Sequence, residues 1–184
     1  SMELRPSGTG IIRASLTDVD FLTGNAAGLY LHSEGSGLGV AMLNDVTFTD
    51  NADSQIKVWA EGGSAELSVI GSGFSGGEVY GIDVEANGTA TARVEVSGSE
   101  FTGLQSDALR LSPQEGSRID ARFFDNLVDG VAEGRGVRGF AGGSATLNAW
   151  IALNDISNVV DGIYLLAGDG GGSTATGNFH VHDN

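Results

Sequence analysis

Apolar and polar residues alternate one for one in short runs along most of the chain, the pattern of strands that bury one face and show the other to water. The clearest runs are Gly28-Leu-Tyr-Leu31, Gln55-Ile-Lys-Val58, Gly81-Ile-Asp-Val84, Ala108-Leu-Arg-Leu111, Gly136-Val-Arg-Gly139 and Gly162-Ile-Tyr-Leu165. A period of two sends Leu29/Leu31, Ile56/Val58, Ile82/Val84, Leu109/Leu111 and Ile163/Leu165 to one side, which predicts a core built from them. A glycine followed by a hydroxyl residue precedes the first run and follows each of the six: Gly8-Thr9, Gly35-Ser36, Gly63-Ser64, Gly88-Thr89, Gly116-Ser117, Gly143-Ser144 and Gly172-Ser173, spaced by 27, 28, 25, 28, 27 and 29 residues. A fixed period of this size predicts a solenoid, whose repeats bury their apolar faces only against one another.

A second alternation follows each glycine–hydroxyl pair. It reads Leu38, Val40 and Met42 in one repeat, then Leu67 and Val69, then Ala92, Val94 and Val96, then Ile119, Ala121 and Phe123, then Leu147, Ala149 and Ile151. On this reading Gly39, Ala41, Glu66, Ser68, Arg93, Glu95, Asp120 and Arg122 point outward as an ordinary solvated surface, with Trp150 the exception. Each alternation breaks at Asn44-Asp45, Gly71-Ser72, Gly98-Ser99, Asp125-Asn126 or Asn154-Asp155. These residue types enter left-handed backbone conformations at low cost, so the breaks predict stacked turns. A third, shorter strand follows, and Phe21, Phe48, Phe74 and Phe101, spaced 27, 26 and 27, predict an interior aromatic column.

The pattern therefore predicts an all-β, single-stranded, right-handed parallel β-helix with three short strands per coil of about 27 residues and about six to seven coils. Six coils at about 4.8 Å each make a rod of roughly 30 Å. A β-sandwich also offers short alternating strands, but it would not repeat one turn pair seven times in register. Residues 1–7 are read as a lead-in, with Ser1-Met2 a cloning remnant, and residues 8–184 as one β-helix domain. Without visible caps at either end, the chain is expected to be a fragment of a longer protein, with end-to-end self-association through uncapped coils as one consequence.

The Gly-Ile/Leu-x-Val/Leu strands, the turn residues Asn44, Asn126 and Asn154 and the coil of about 27 residues resemble the right-handed parallel β-helix, or pectin-lyase-like, superfamily. The likeness covers Gly8 to Asn184 and is one of fold. Among enzymes of that superfamily, acidic clusters hold calcium against a uronate and an Arg or Lys takes a proton from the sugar. Asp83, Glu85 and Arg110 on adjacent rungs resemble such a set. The Trp-x-Asp-His, Arg-x-Pro-x-x-Arg, Gly-His-Gly, Arg-Ile-Lys and Asp-Pro-His-Glu motifs of its lyases, galacturonases and epimerases do not occur. Loops as short as Thr49 to Ser54 also leave no walls for a water-excluded cleft, so no catalytic residue is assigned.

Thirty glycines against two prolines fit many strands joined by tight turns. Twenty-four acidic against nine basic residues give a net charge of -15, which disfavours nucleic acid as a partner. The chain has no cysteine, no spanning apolar stretch and no basic-then-apolar leader, so neither disulfides nor membrane insertion is expected.

Candidate chemistry gathers on the outward side of the first strand of each coil. One ladder reads Tyr30, Lys57, Asp83, Arg110, Arg138 and Tyr164; the other reads His32, Trp59, Glu85, Ser112, Phe140 and Leu166. Aromatic faces stack on sugar rings while Arg and Lys pair with uronate or sulfate, so this face is the expected site for an extended polysaccharide. Alternating charge at Lys57, Asp83 and Arg110 equally suits cross-strand ion pairing, with Trp59 covering apolar surface. His180 and His182, two apart beside Asp183, have the residue types of a zinc or copper site, but they end the chain without a third histidine nearby and no metal is assigned. The acidic turn Gly168-Asp-Gly-Gly-Gly172 gives only a faint calcium signal, because it lacks the spaced carboxylates of a calcium loop. Asn87-Gly-Thr89 matches a glycosylation sequon.

The expectation is a non-catalytic stalk or binding module of a secreted or cell-surface bacterial protein that holds a glycan along one sheet face. The alternative is a fragment of a lyase, hydrolase or epimerase acting on acidic glycans.

Overall fold

The computed structural model describes residues 1–168 and 173–184, so the acidic turn considered for calcium lies mostly outside the described residues. The described chain is all β, a parallel solenoid of about seven turns with three strands in a full turn. The first sheet stacks Met2–Leu4, Leu29–Glu34, Ile56–Glu61, Ile82–Asn87, Leu109–Pro113, Arg135–Ala141 and Asp161–Ala167. The second stacks Ile11–Thr17, Leu38–Asn44, Ser64–Ile70, Thr91–Ser97, Arg118–Phe124, Thr146–Ala152 and Thr176–His182. The third and shortest stacks Asp20–Leu22, Thr47–Thr49, Gly73–Ser75, Glu100–Thr102, Leu127–Asp129 and Asp155–Ser157. Among the described residues there is no helix, hence none long and apolar enough to cross a membrane.

The first sheet pairs in the register that the alternation predicts: Leu29 with Ile56, Ile56 with Ile82, and Ile82 with Leu109. Leu29, Leu31, Ile56, Val58, Ile82, Val84, Leu109 and Leu111 are buried, and Ile163 and Leu165 pack against them half-buried. In the third sheet Phe21, Phe48, Phe74 and Phe101 form the aromatic column, with centroids 4.8, 5.2 and 4.5 Å apart and ring planes within 4° of parallel. Val128 and Ile156 continue its line in register. Each buried phenylalanine stabilises the rod by roughly 2–3 kcal/mol through the area it removes from water. The column also explains a glycine that opens a first-sheet strand: a Cβ at Gly81 would stand 2.6 Å from the Ala108 carbonyl oxygen and 2.9 Å from the Phe101 ring.

The corner between first and second sheets turns through a positive φ at Gly8, Gly35, Gly62, Gly88, Glu115 and Gly143, residues separated by 27, 27, 26, 27 and 28 positions. The glycine–hydroxyl pairs mark this corner imperfectly, because Gly63-Ser64 and Gly116-Ser117 begin one residue after it. The corner also changes length: Glu34 pairs with Glu61 but Leu38 with Ser64, so Gly62-Gly63 stands where the preceding coil has Gly35-Ser36-Gly37. The pairing corrects the sequence reading of Leu38–Asn44: Ala41 pairs with Leu67 and Leu43 with Val69, so Gly39, Ala41 and Leu43 face inward while Leu38, Val40 and Met42 face out. The apolar character of Val40 and Met42 misled the alternation; Met42 is 47% exposed and Ala41 fully buried.

The corner between second and third sheets carries a buried polar ladder. Ser99 Oγ accepts from the Ser72 amide at 3.1 Å, Asn126 Oδ1 from the Ser99 amide at 3.0 Å, and Asn154 Oδ1 from the Asn126 amide at 3.1 Å. Asn154 donates in turn to Asn184 Oδ1 at 2.7 Å. Asn126 and Asn154 therefore serve the turn as expected, satisfying backbone groups that the bend removes from the sheets. Asn44 does not belong with them. It is the exposed last residue of its strand, and Val46 occupies the corresponding interior place.

Candidate functional site

The two ladders on the first sheet assemble largely as expected. Tyr30, Lys57, Asp83, Arg110, Arg138 and Tyr164 are paired rung to rung. His32, Trp59, Glu85 and Ser112 follow in register beside them, and Phe140 pairs with Leu166 farther along.

Most of these side chains are engaged with one another. Arg110 Nη1 donates to Asp83 Oδ1 at 2.7 Å and to Glu85 Oε1 at 2.6 Å, while its guanidinium lies 5.1 Å from the centre of the Tyr80 ring. Burial pushes the Asp83 carboxyl up to about 6, against the downward pull of Arg110. An arginine held by two carboxylates and a ring is a structural cross-link between rungs and has no lone pair free to take a proton.

Aromatic residues on the same face also pack together. His32 lies between Tyr30 and Trp59, with centroids 5.5 and 5.0 Å away and planes tilted by 22° and 18°. Stacking covers the faces that these rings turn to one another, which suits a sugar less well than an open platform. Burial raises the Tyr30 hydroxyl above its ordinary value, and Trp59 Nε1 is buried without a hydrogen-bond partner. A depression of about 350 Å³ beside Tyr30 and Lys57 is walled by Ser1, Met2 and Glu3. Farther along, Arg138 lies 3.7 Å from the buried Asp107 carboxylate, and the Arg135 guanidinium covers Tyr164 at 4.7 Å.

A groove of about 860 Å³ lies instead over the second sheet, which the alternation had marked as plain surface. Its floor is strand backbone and its walls are outward side chains from Val40 and Met42 at one end to Asn178 and His180 at the other. Trp150 lies toward the far end, 50% exposed, between Arg122 at 5.7 Å and His180 at 5.4 Å. Asn178 Nδ2 donates to Asn148 Oδ1 at 2.7 Å and Asn148 Nδ2 to Asp120 Oδ1 at 2.6 Å, a polar rail parallel to the rod.

Charge in this groove is unlike the rest of the chain. Three of the nine basic residues, Arg93, Arg118 and Arg122, line it against three carboxylates, Glu66, Glu95 and Asp120. It is thus locally balanced in a protein of net charge -15. The ion pairs there are exposed, with Arg93 to Glu66 at 3.4 Å, Arg118 to Asp120 at 2.8 Å and Arg122 to Glu95 at 3.8 Å. Such pairs are worth about 0–1 kcal/mol, so an arriving anion or hydroxyl can redirect any of these arginines at little cost.

Sequence reasoning passed over this groove, although the coil period alone places Arg93, Asp120 and Asn148 in one outward row and Glu95, Arg122 and Trp150 in the next. His180 and His182 do come together, their rings 4.8 Å apart, but His180 meets Trp150 on the neighbouring rung, and His182 accepts from Trp150 Nε1 at 3.3 Å and contacts Asp183 at 2.9 Å. The two imidazoles are thereby joined to the groove aromatic.

No protein-family model, curated protein or solved structure matches this chain.

Proposed function

We propose that this solenoid is a non-catalytic binding module of a secreted or cell-surface protein, and that it holds an extended glycan in the groove over the second sheet. The observation that carries the reading is the half-exposed Trp150, set among arginines that are held only by exposed ion pairs and beside the Asp120–Asn148–Asn178 rail. An aromatic ring supplies a stacking surface for a sugar, planar guanidiniums match carboxylate or sulfate, and side-chain amides match hydroxyls. Local charge balance makes this groove less repulsive to an anionic chain than the average of an acidic surface, and its arginines are less buried than Arg110. The likeness to pectin-lyase-like proteins is one of architecture and supports a rod able to present such a groove.

The first-sheet ladder supports a second reading, a fragment of an enzyme acting on acidic glycans, because Asp83 and Glu85 each lie within hydrogen-bonding distance of Arg110 and burial holds the Asp83 carboxyl high. The doubly bonded Arg110 weighs against it.

The test is gel retention on a panel of acidic and neutral polysaccharides, with and without calcium, together with ultraviolet absorbance of unsaturated uronates. Retention without new absorbance is the expected result. New absorbance would give the enzyme reading precedence, and silence in both channels across the panel would defeat the binding module and leave the rod as scaffold.

A further inference from the structure

His32 and Glu34 are two residues apart on the strand Leu29–Glu34, so both point out from the same side of the first sheet. Glu61 is the register partner of Glu34 on the next strand and adds a second carboxylate one rung along. His32 Nε2 stands 3.3 Å from Glu34 Oε1 and 4.0 Å from Glu61 Oε2, and the three ligand atoms all lie within 4.8 Å of one another.

The imidazole is the unusual member. Only 7% of its side chain is exposed, Tyr30 and Trp59 hold its plane, and its buried Nε2 makes no hydrogen bond. Leaving a buried polar atom unmatched costs about 1–3 kcal/mol. A ring pinned on both faces cannot easily swing that nitrogen to water, so the missing partner must come to it.

We propose that His32, Glu34 and Glu61 form a divalent-metal site, with zinc the ion that best suits one imidazole nitrogen and two carboxylate oxygens. Ligand atoms about 2.1 Å from a tetrahedral ion stand about 3.4 Å apart, close to the His32–Glu34 separation already present. Glu61, whose side chain is 60% exposed, is free to close the remaining distance. The fourth position is left for water or for the carboxylate of an acidic ligand. Arg5 is the competitor: its Nη2 donates to Glu34 Oε1 at 2.6 Å, and its side chain, 55% exposed, must move aside as the ion enters. The site is independent of the glycan groove, since it lies on the other sheet.

The experiment is calorimetric titration of the whole 184-residue chain with zinc chloride. The chain has three histidines, so a His180→Ala/His182→Ala double variant isolates the proposed site from the other pair. That variant should bind one zinc ion. Adding Glu61→Gln should weaken binding at least tenfold, and adding Arg5→Ala should tighten it several-fold, because a neighbouring cation is removed. His32→Gln should abolish binding; should it also disturb the fold by circular dichroism, the exposed Glu61→Gln change decides. No heat from the double variant, or unchanged affinity with Glu61→Gln, would overturn the site and leave His32 as an imidazole paired only with its two glutamates.

Discussion

Asn154 Oδ1 accepts from both the backbone amide and the side-chain amide of Asn126, at 3.1 and 3.0 Å. One side-chain oxygen thereby ties two coils together inside the rod, where no water can substitute. Asn126 also serves the Ser99 amide and the Val96 carbonyl. Asn126→Ala should lower stability by about 2–3 kcal/mol, since two buried backbone groups lose their partner. Asn126→Ser should recover part of this, because Ser72 and Ser99 fill the same place in earlier coils. Chemical denaturation measures both, and a loss below about 0.5 kcal/mol for the alanine variant would show that the ladder contributes little.

The phase of Leu38–Asn44 is open to a paired test. Leu43→Lys should unfold the rod or cost several kcal/mol, because an unpaired charge would enter the core. Met42→Lys should change stability by no more than about 0.5 kcal/mol. Thermal melts showing the opposite order would reverse the assignment of faces in this strand.

Asp83 should leave a signature in the pH dependence of stability. Its carboxyl is held up to about 6 in the folded chain, against an ordinary value of 3.8. Between those values the folded protein binds more protons than the unfolded chain, so the contribution of Asp83 to stability is greatest below the ordinary value and falls as pH rises through about 6. Relative to Asp83→Asn, wild-type stability should drop by on the order of 2 kcal/mol between pH 4 and pH 7. A flat difference in urea unfolding across that range would mean that Arg110 keeps Asp83 ionised throughout.

The two tryptophans separate the two faces. Trp150→Ala should leave the melting temperature nearly unchanged and weaken glycan retention at least tenfold. Trp59→Ala should destabilise the chain, because it removes the ring stacked on His32, while retention is kept. The reverse pattern in affinity gels would move the binding site to the first sheet.

Most of the architecture was legible in the residues because a solenoid repeats its instructions. Leu29, Ile56, Ile82 and Leu109 each mark the same place in the coil, and the phenylalanines do so again with a bulkier group. What could not be read was phase where a turn changes length. Gly62-Gly63 stands where the preceding coil has Gly35-Ser36-Gly37, and period-two alternation turns a difference of one residue into an exchange of faces. The groove was hidden for another reason. Arg93, Arg122 and Trp150 are ordinary surface residues when taken singly, and only the stacking of coils makes them walls around a common floor. Glu34 and Glu61 escaped notice likewise, since their meeting with His32 depends on the orientation of a ring wedged between two others.

The corner at Gly35, Gly62, Gly88 and Glu115 lets neighbouring coils differ by a residue without disturbing the pairing of the strands. Such tolerance makes the whole coil a unit of inheritance. Duplication or loss of one would lengthen or shorten the groove by about 4.8 Å and leave every other side chain aimed as before. The rod is thereby a graduated ruler, on which the length of the groove can change by counted steps while the chemistry of each step is kept.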